Sequence, residues 1–288
     1  MLGRLPFVLL EWIGKLPLPW VRALGWLLGR LLYALVASRR KVVQINLRLC
    51  FPEWTEEKVR AIARENFVYF AQSWLDRGWL WHAGEDTLRR RLKLTGAVHE
   101  LQGDAPTVLF GPHFVGMDAC WTALTVLLPR RCSGIYQAQA NPVADAWIEA
   151  GRRRFGNPEI VARLAGVKPM VNAIKRGEPM YLLPDMNFDP KESLWVPFYG
   201  VIAATVPSLP RFARLGRAKV VPVVTRMTPE GYEVDVKPAW ADYPSDDVEA
   251  DTALMNLRLQ GYIDTMVSQY YWVHKRFKDR PNGEAPPY

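Results

Sequence analysis

The segment TVLFGPHFVGMDA, residues 107–119, decides the fold and carries the first candidate for chemistry. TVLF is a short and almost wholly apolar run, which is typical of a strand buried in a parallel sheet. Gly and Pro residues then break the chain, and a helical stretch follows from about residue 117. This order predicts the first half of a βαβ unit, with His113 in the turn at the carboxyl end of the strand. Open α/β sheets bind their ligands at that edge.

The same alternation continues along the chain. Further strands are predicted at SGIYQ (133–137), MYLLP (180–184), KVVPVVTRM (219–227) and YEVDVKPAW (232–240). Helical periodicity predicts helices over residues 55–76, 142–155, 205–215 and 247–268. The pattern therefore predicts an α/β fold, with a mixed, largely parallel sheet flanked by helices.

The N-terminal stretch, residues 5–36, is apolar but interrupted by charged side chains. No uncharged run approaches the roughly 18–20 residues of a clean membrane-spanning helix. From Val21 onward, apolar positions recur at helical spacing, while Arg22 and Arg30 fall outside them. We predict a membrane-associated N-terminal helix lying at the interface; the alternative is a buried amphipathic helix. The predicted organisation is a membrane-proximal or anchor segment over residues 1–50 and one main domain over residues 51–288.

The composition narrows the class of partner without choosing one. The chain has 37 Lys and Arg against 29 Asp and Glu, with a formal net charge of +8 and a pI near 9.4. A basic balance favours nucleic acid, acidic lipid surfaces, phosphorylated substrates or acidic carrier proteins. Three cysteines without C-x-x-C spacing argue against a disulfide framework and a zinc site, so no metal is predicted.

His113 and Asp118 are candidates for a catalytic pair. On a continuous helix their spacing rotates one side chain by roughly 500° from the other, so they would not share a face. They can meet if His113 lies in the turn and Asp118 in the first turn of the following helix. A histidine oriented by a carboxylate is a competent general base. Because G-x-S-x-G is absent, we expect the base to activate an external hydroxyl. The alternative is a chance pair.

Two further segments carry polar clusters. GRRRFG (151–156) places Arg152 and Arg154 near the end of a predicted helix, where cations either bind phosphate or form a solvated face. PDMNFDPKESLWVPFYG (184–200) begins at a strand end with Asp185 and Asn187, which can orient a substrate or simply form a turn.

Together these segments resemble the bacterial lipid A biosynthesis acyltransferases of the lauroyl and myristoyl type. The resemblance covers nearly the whole chain and rests on five blocks in the family's order. They are NLRLCFPEWT (46–55), GPHFVGMDA (111–119), ANPVADAWIEAGRRR (140–154), PDMNFDPKESLWVPFYG (184–200) and QYYWVHKRFKDRP (269–281). The chain departs from the family at three positions. Relatives often carry Gln or His in place of Met186, Asp in place of Asn187 and Gly in place of Asp189.

The resemblance implies a sheet like that of glycerol-3-phosphate acyltransferases and an acyltransferase domain over residues 51–288. It implies transfer of an acyl chain from acyl carrier protein to a hydroxyl of a lipid A precursor, in late secondary acylation at the cytoplasmic face of the bacterial inner membrane. His113 would be the base and Asp118 its partner, with Arg152, Arg154, Asp185 and Asn187 in the substrate site. No cofactor, metal or nucleic acid is implied; membrane lipids are expected partners. The alternatives are another acceptor lipid, namely a glycerophospholipid, ornithine lipid or phosphatidylinositol mannoside, and a non-catalytic lipid-surface scaffold.

Overall fold

The structure, a computed structural model, describes residues 5–288. Five helices come first, and from residue 92 onward strands alternate with helices along most of the chain, as the sequence predicts. The strands are β1 (Leu92–Gly96), β2 (Thr107–Phe110), β3 (Ser133–Tyr136), β4 (Glu159–Ala162), β5 (Met180–Leu182), β6 (Leu194–Phe198), β7 (Val201–Thr205), β8 (Lys219–Thr228) and β9 (Gly231–Val236). The helices are α1 (Leu5–Gly14), α2 (Leu18–Leu35), α3 (Ala37–Cys50), α4 (Glu56–His82), α5 (Glu85–Arg91), α6 (Met117–Leu127), α7 (Pro142–Arg152), α8 (Lys168–Lys175), α9 (Ser208–Gly216) and α10 (Val248–Asp264).

Within residues 5–288, seven strands form the main sheet in the order β1-β9-β8-β2-β5-β3-β4. Neighbouring strands are parallel except β8 and β9, which form an antiparallel pair. Strands β6 and β7 form a separate antiparallel hairpin. The predicted fold class, a mixed and largely parallel sheet flanked by helices, is confirmed.

Both faces of the sheet are covered, and strand β2 shows why. Successive side chains on a strand point to opposite faces. Val108 and Phe110 accordingly join the core on one face, and Leu109 joins the core on the other. All three are fully buried, which explains the continuous apolar run that marks this strand in the sequence.

Helix α2 packs closely against helix α4 through small residues. A Cβ atom on Gly25 would lie 2.8 Å from the Cα atom of Gln72, and one on Gly29 would lie 2.4 Å from the Cα atom of Val68. Only glycine allows this approach of the two backbones. The opposite side of α2 is therefore left facing outward.

The exposed side of helices α1 and α2 is apolar, which reverses the usual pattern of a soluble helix. Trp12, Trp20 and Trp26 are 63%, 67% and 50% exposed. Leu9, Leu27, Leu31 and Leu35 are also more than half exposed. We call this surface the N-terminal apolar face. Among the described helices, none is alone long and apolar enough to cross a membrane; α2 and α3 together reach that length but bend by 91°.

The packing shows no break at residue 50, where the two predicted domains meet. Val43 and Leu47 of α3 are buried in the main core. Asn46 donates hydrogen bonds to the carbonyl groups of Trp272 and His274, at 2.8 and 2.7 Å. Helix α3 is thus packed into the α/β body, and the boundary at residue 50 stays a prediction. Residues 1–4 of the predicted N-terminal segment lie outside the described residues.

Candidate active site

His113 and Asp185 meet because their strands are neighbours. Strands β2 and β5 pair in parallel, so the residues that follow each strand lie at the same edge of the sheet. His113 Nδ1 lies 2.8 Å from Asp185 Oδ1. The backbone N–H of His113 also donates to Asp185 Oδ2, at 3.1 Å. The carboxylate therefore contacts both the main chain and the ring of His113.

Asp185 is fully buried and held by a third contact. The hydroxyl group of Tyr270 donates to Asp185 Oδ2 at 2.8 Å. Burial and the adjacent carboxylate raise the pKa of Tyr270 well above its ordinary value, so its hydroxyl group remains a donor. Burial opposes ionisation of Asp185, but the attraction of His113 and these hydrogen bonds outweigh it and lower the pKa of Asp185.

Asp118 forms neither a hydrogen bond nor an ion pair with His113 in this structure, so the predicted pairing is corrected. Asp118 lies in the first turn of α6, as predicted, but its carboxylate binds two arginines. Oδ1 lies 2.7 Å from Nη2 of Arg152, and Oδ2 lies 2.7 Å from Nη2 of Arg77. The Nε atoms of both arginines also donate to Asp118, at 2.8 Å each. The two guanidinium groups occupy both carboxylate oxygens, and Asp185 provides the carboxylate for His113 instead.

The two arginines decide the charge state of Asp118. Burial alone raises the pKa of this carboxyl group, but Arg152 and Arg77 overcome it and lower the pKa to about 2. Asp118 in turn raises the pKa of Arg152 against the effect of burial. Arg77 cannot be recognised in the sequence, because in the C-terminal part of the long helix α4 nothing distinguishes it from any other charged residue on a helix surface.

A cavity of about 820 Å³ opens beside His113. Asp118, Arg152 and Asn187 also line it. The remaining wall is largely apolar and includes Trp121, Ile135, Ile160, Val206, Phe212 and Leu215. With Nδ1 held by Asp185, the Nε2 atom of His113 makes no hydrogen bond within residues 5–288, and the side chain is 20% exposed. His113 therefore presents a free ring nitrogen at a cavity that has both cationic and apolar walls.

The other predicted site residues divide between the cavity and its surroundings. Arg152 and Asn187 line it, and Asn187 Nδ2 donates to Asp279 Oδ2 at 3.0 Å. Asp185, predicted to contact substrate, instead lies behind His113 and is not among the residues that line the cavity. Arg154 is exposed outside the cavity, with its guanidinium group 4.6 Å from the ring centroid of Phe155.

Neither a metal centre nor a cysteine nucleophile is formed by the part of the chain that the structure describes. No group of three or more His, Cys, Asp or Glu side chains there is placed to hold a metal ion. Cys120, on α6, is buried, and burial raises the pKa of its thiol to about 11. At neutral pH the thiolate form needed for attack is therefore scarce.

The chain matches known sequences over almost its full length. The sequence model of the family described as bacterial lipid A biosynthesis acyltransferase matches residues 5–279. The chain therefore belongs to this family, and it is an acyltransferase. The lipid A biosynthesis lauroyltransferase of Escherichia coli K12 is 31% identical over 293 residues, which cover 97% of this chain and 94% of the relative. The lipid A biosynthesis myristoyltransferase of the same strain is 30% identical over 266 residues, covering 91% and 82%.

A further relative and a solved structure were also compared with the chain. A lipid A biosynthesis acyltransferase of Haemophilus influenzae is 31% identical over 253 residues, covering 86% of this chain and 78% of the relative. Among solved structures, the 1-acyl-sn-glycerophosphate acyltransferase of Thermotoga maritima aligns with a TM-score of 0.41 and 11% identity, covering 85% of this chain and 97% of that chain.

Proposed function

We propose that this protein transfers a fatty acyl chain from acyl carrier protein to a hydroxyl group of a lipid A precursor, in late secondary acylation. The observation that carries the proposal is the free Nε2 atom of His113 at the cavity, with Nδ1 held by Asp185. Family membership supports the reaction class and the lipid acceptor. The positive net charge favours an acidic carrier as donor. The reaction needs no cofactor or metal beyond the acyl thioester.

In the proposed mechanism His113 acts as general base. Asp185 holds the tautomer with the proton on Nδ1, which leaves Nε2 able to accept a proton. The acceptor hydroxyl group gives its proton to Nε2 while its oxygen attacks the thioester carbonyl carbon. The tetrahedral intermediate collapses, the carbon–sulfur bond breaks, and the thiolate takes the proton back from the imidazolium. The ester and the free carrier thiol are the products.

Asp118 has a different role in this proposal. It fixes Arg152 at the cavity wall and balances part of the charge of Arg152 and Arg77. Two guanidinium groups on one carboxylate leave the cluster with a net positive charge. We propose that this charge stabilises negative charge that develops on the thioester oxygen or is carried by the substrate. The apolar wall around Trp121 and Phe212 would hold the acyl chain.

We place the enzyme at the cytoplasmic face of the bacterial inner membrane, in contact with membrane lipids. The N-terminal apolar face supports this location, because exposed Trp and Leu side chains next to cations suit the boundary between headgroups and acyl chains. Arg30, for example, lies with its guanidinium group 4.9 Å from the ring centroid of Trp26. The three buried cysteines are consistent with a reducing compartment.

The proposed function is tested with purified protein, a lipid A precursor and one acyl donor at a time. We expect mass spectrometry to find the precursor heavier by one acyl group with the acyl carrier thioester, and a much lower rate with the matching coenzyme A thioester. Equal rates with both donors would refute carrier dependence. Modification of a glycerophospholipid in preference to the lipid A precursor would refute the acceptor.

A further inference from the structure

A second cavity, of about 540 Å³, lies next to the active-site cavity. Asn187 and Phe188 line both, so the two spaces are neighbours. We call the second space the basic pocket. Three cations line it, Arg39, Lys275 and Lys278, together with His274. Among its described lining residues, Asp189 is the one carboxylate.

The charges of these cations are not neutralised by close ion pairs. The Arg39 guanidinium group donates to the carbonyl group of Val273 at 3.3 Å, a neutral partner that fixes its position. The Lys278 ammonium group lies 3.9 Å from Asp279 Oδ2, an atom that also accepts from Asn187. Asp189 uses Oδ1 to accept from the backbone N–H of Lys191, at 2.9 Å. The pocket thus keeps an excess of positive charge.

His274 lines this pocket with an uncharged ring. Its Nε2 atom is buried and has no hydrogen-bond partner among the described residues. Burial, together with the charges of His113 and Arg276, lowers the pKa of His274 to about 4, so the ring is neutral at physiological pH. The positive charge of the pocket therefore comes from Arg39, Lys275 and Lys278.

The pocket is also next to the N-terminal apolar face. Arg39 lies in the first turn of α3, and α3 follows α2 after the single residue Val36. Leu31 and Leu35, in the last turns of α2, are 52% and 70% exposed. The cations therefore lie where the apolar surface ends, which is the position of the polar headgroup of a lipid whose chains contact that surface.

We propose that the basic pocket binds a phosphate group of the lipid acceptor while the acceptor hydroxyl group reaches His113. This inference rests on the proposed function, because it assumes a phosphorylated lipid as acceptor. Arginine and lysine are the side chains that bind phosphate, and a shared wall at Asn187 and Phe188 lets one ligand occupy both spaces. The acyl donor also carries a phosphate, in the prosthetic arm of the carrier. The position beside the apolar face favours the lipid.

The experiment compares two acceptors, the phosphorylated lipid A precursor and the same lipid after phosphatase treatment. The Lys275→Gln/Lys278→Gln double variant removes two of the pocket's cations and keeps similar side-chain length. We expect the KM for the phosphorylated acceptor to rise about tenfold, with kcat changed less than about twofold; solvent limits the effect of the two charges because both lysines are exposed. With the dephosphorylated acceptor the variant and the wild type should have the same KM. Lys93→Gln, an exposed residue on β1 outside both cavities, is the matched control and should behave as wild type.

Each other outcome has a definite meaning. Equal loss with both acceptors, or no loss, overturns the phosphate site. A raised KM for the acyl carrier donor, with an unchanged acceptor KM, overturns it in favour of the donor phosphate. Failure of the phosphate site and failure of the proposed function are distinguished by a binding measurement. The affinity of the full chain for each of the two acceptors is measured in lipid nanodiscs, without acyl transfer. If the wild type fails to acylate the precursor, the function fails; the phosphate site then stands only if the double variant weakens binding of the phosphorylated lipid alone.

Discussion

Replacing Asp118 by Asn tests whether this residue holds two arginines. The substitution keeps the shape of the side chain and removes the charge that lies 2.7 Å from both Arg77 and Arg152. Asp118 has a pKa of about 2 in the folded protein. Against an ordinary value of about 3.9, this difference corresponds to roughly 2.5 kcal/mol of stability at neutral pH. This figure already includes the loss of attraction to both guanidinium groups, so we expect Asp118→Asn to lower the free energy of unfolding by about 2–3 kcal/mol.

The same linkage fixes the sign of the pH dependence. Because the folded pKa of Asp118 is depressed, its contribution is complete above about pH 4 and is lost as the pH falls through about 2. Urea unfolding of wild type and Asp118→Asn should therefore differ most near neutral pH and converge in acid. Asp86→Asn, an exposed carboxylate in the first turn of α5, is the control and should change stability by less than about 0.5 kcal/mol. Equal stability of Asp118→Asn and wild type at neutral pH, or a gap that does not narrow in acid, would refute this reasoning.

Three further predictions concern transfer, chain length and the membrane. His113→Ala should lower kcat at least about 10³-fold, measured with acyl carrier donor and lipid A precursor, while the protein stays folded. Near-normal turnover of the folded variant would exclude His113 as base. Gly134 on β3 lines the active-site cavity beside Trp121, and a Cβ atom on it would lie 3.2 Å from the Trp121 ring. Gly134→Val should therefore narrow the cavity and lower kcat/KM for the longest accepted donor at least about tenfold relative to shorter ones. An unchanged ranking of donors would place the acyl chain elsewhere. Replacing Trp12, Trp20 and Trp26 together by Ala should reduce partition of the protein into anionic vesicles at least about tenfold. The control Leu257→Ala, which removes a side chain 63% exposed on α10, should leave partition unchanged. Equal partition of the two variants would contradict the assignment of the N-terminal apolar face.

The sheet was largely predictable because its central strands are buried on both faces. TVLF and MYL have no polar face, so they appear in the sequence as continuous apolar runs. The edge strands β1 and β4 were not predicted, because their partly exposed side chains give little pattern in the sequence. The β6–β7 hairpin was not predicted either. Tyr199 and Gly200, between these two strands, both have positive φ, 50° and 73°, but Tyr-Gly is not a recognisable turn signal.

The candidate site was predictable in position but not in pairing. The end of strand β2 identified His113, because parallel sheets place ligands at that edge. The carboxylate that contacts its ring, Asp185, is 72 residues away and arrives only because β5 lies next to β2. Strand order is not visible in one sequence, so the local neighbour Asp118 was assigned that role instead. The sequence does not indicate that Arg77 belongs to the site, since its partner Asp118 lies 41 residues further along the chain.

The central claim is that Asp185 acts through His113, and one comparison of transfer rates tests it most directly. Asp185→Asn is introduced into the wild type and into His113→Ala, and kcat is measured for all four proteins with the same donor and acceptor. If Asp185 orients the base, its loss should cost about 10³–10⁴-fold in the wild type and have no further effect once His113 is absent. An equal loss in both backgrounds would contradict the account, because Asp185 would then act independently of His113.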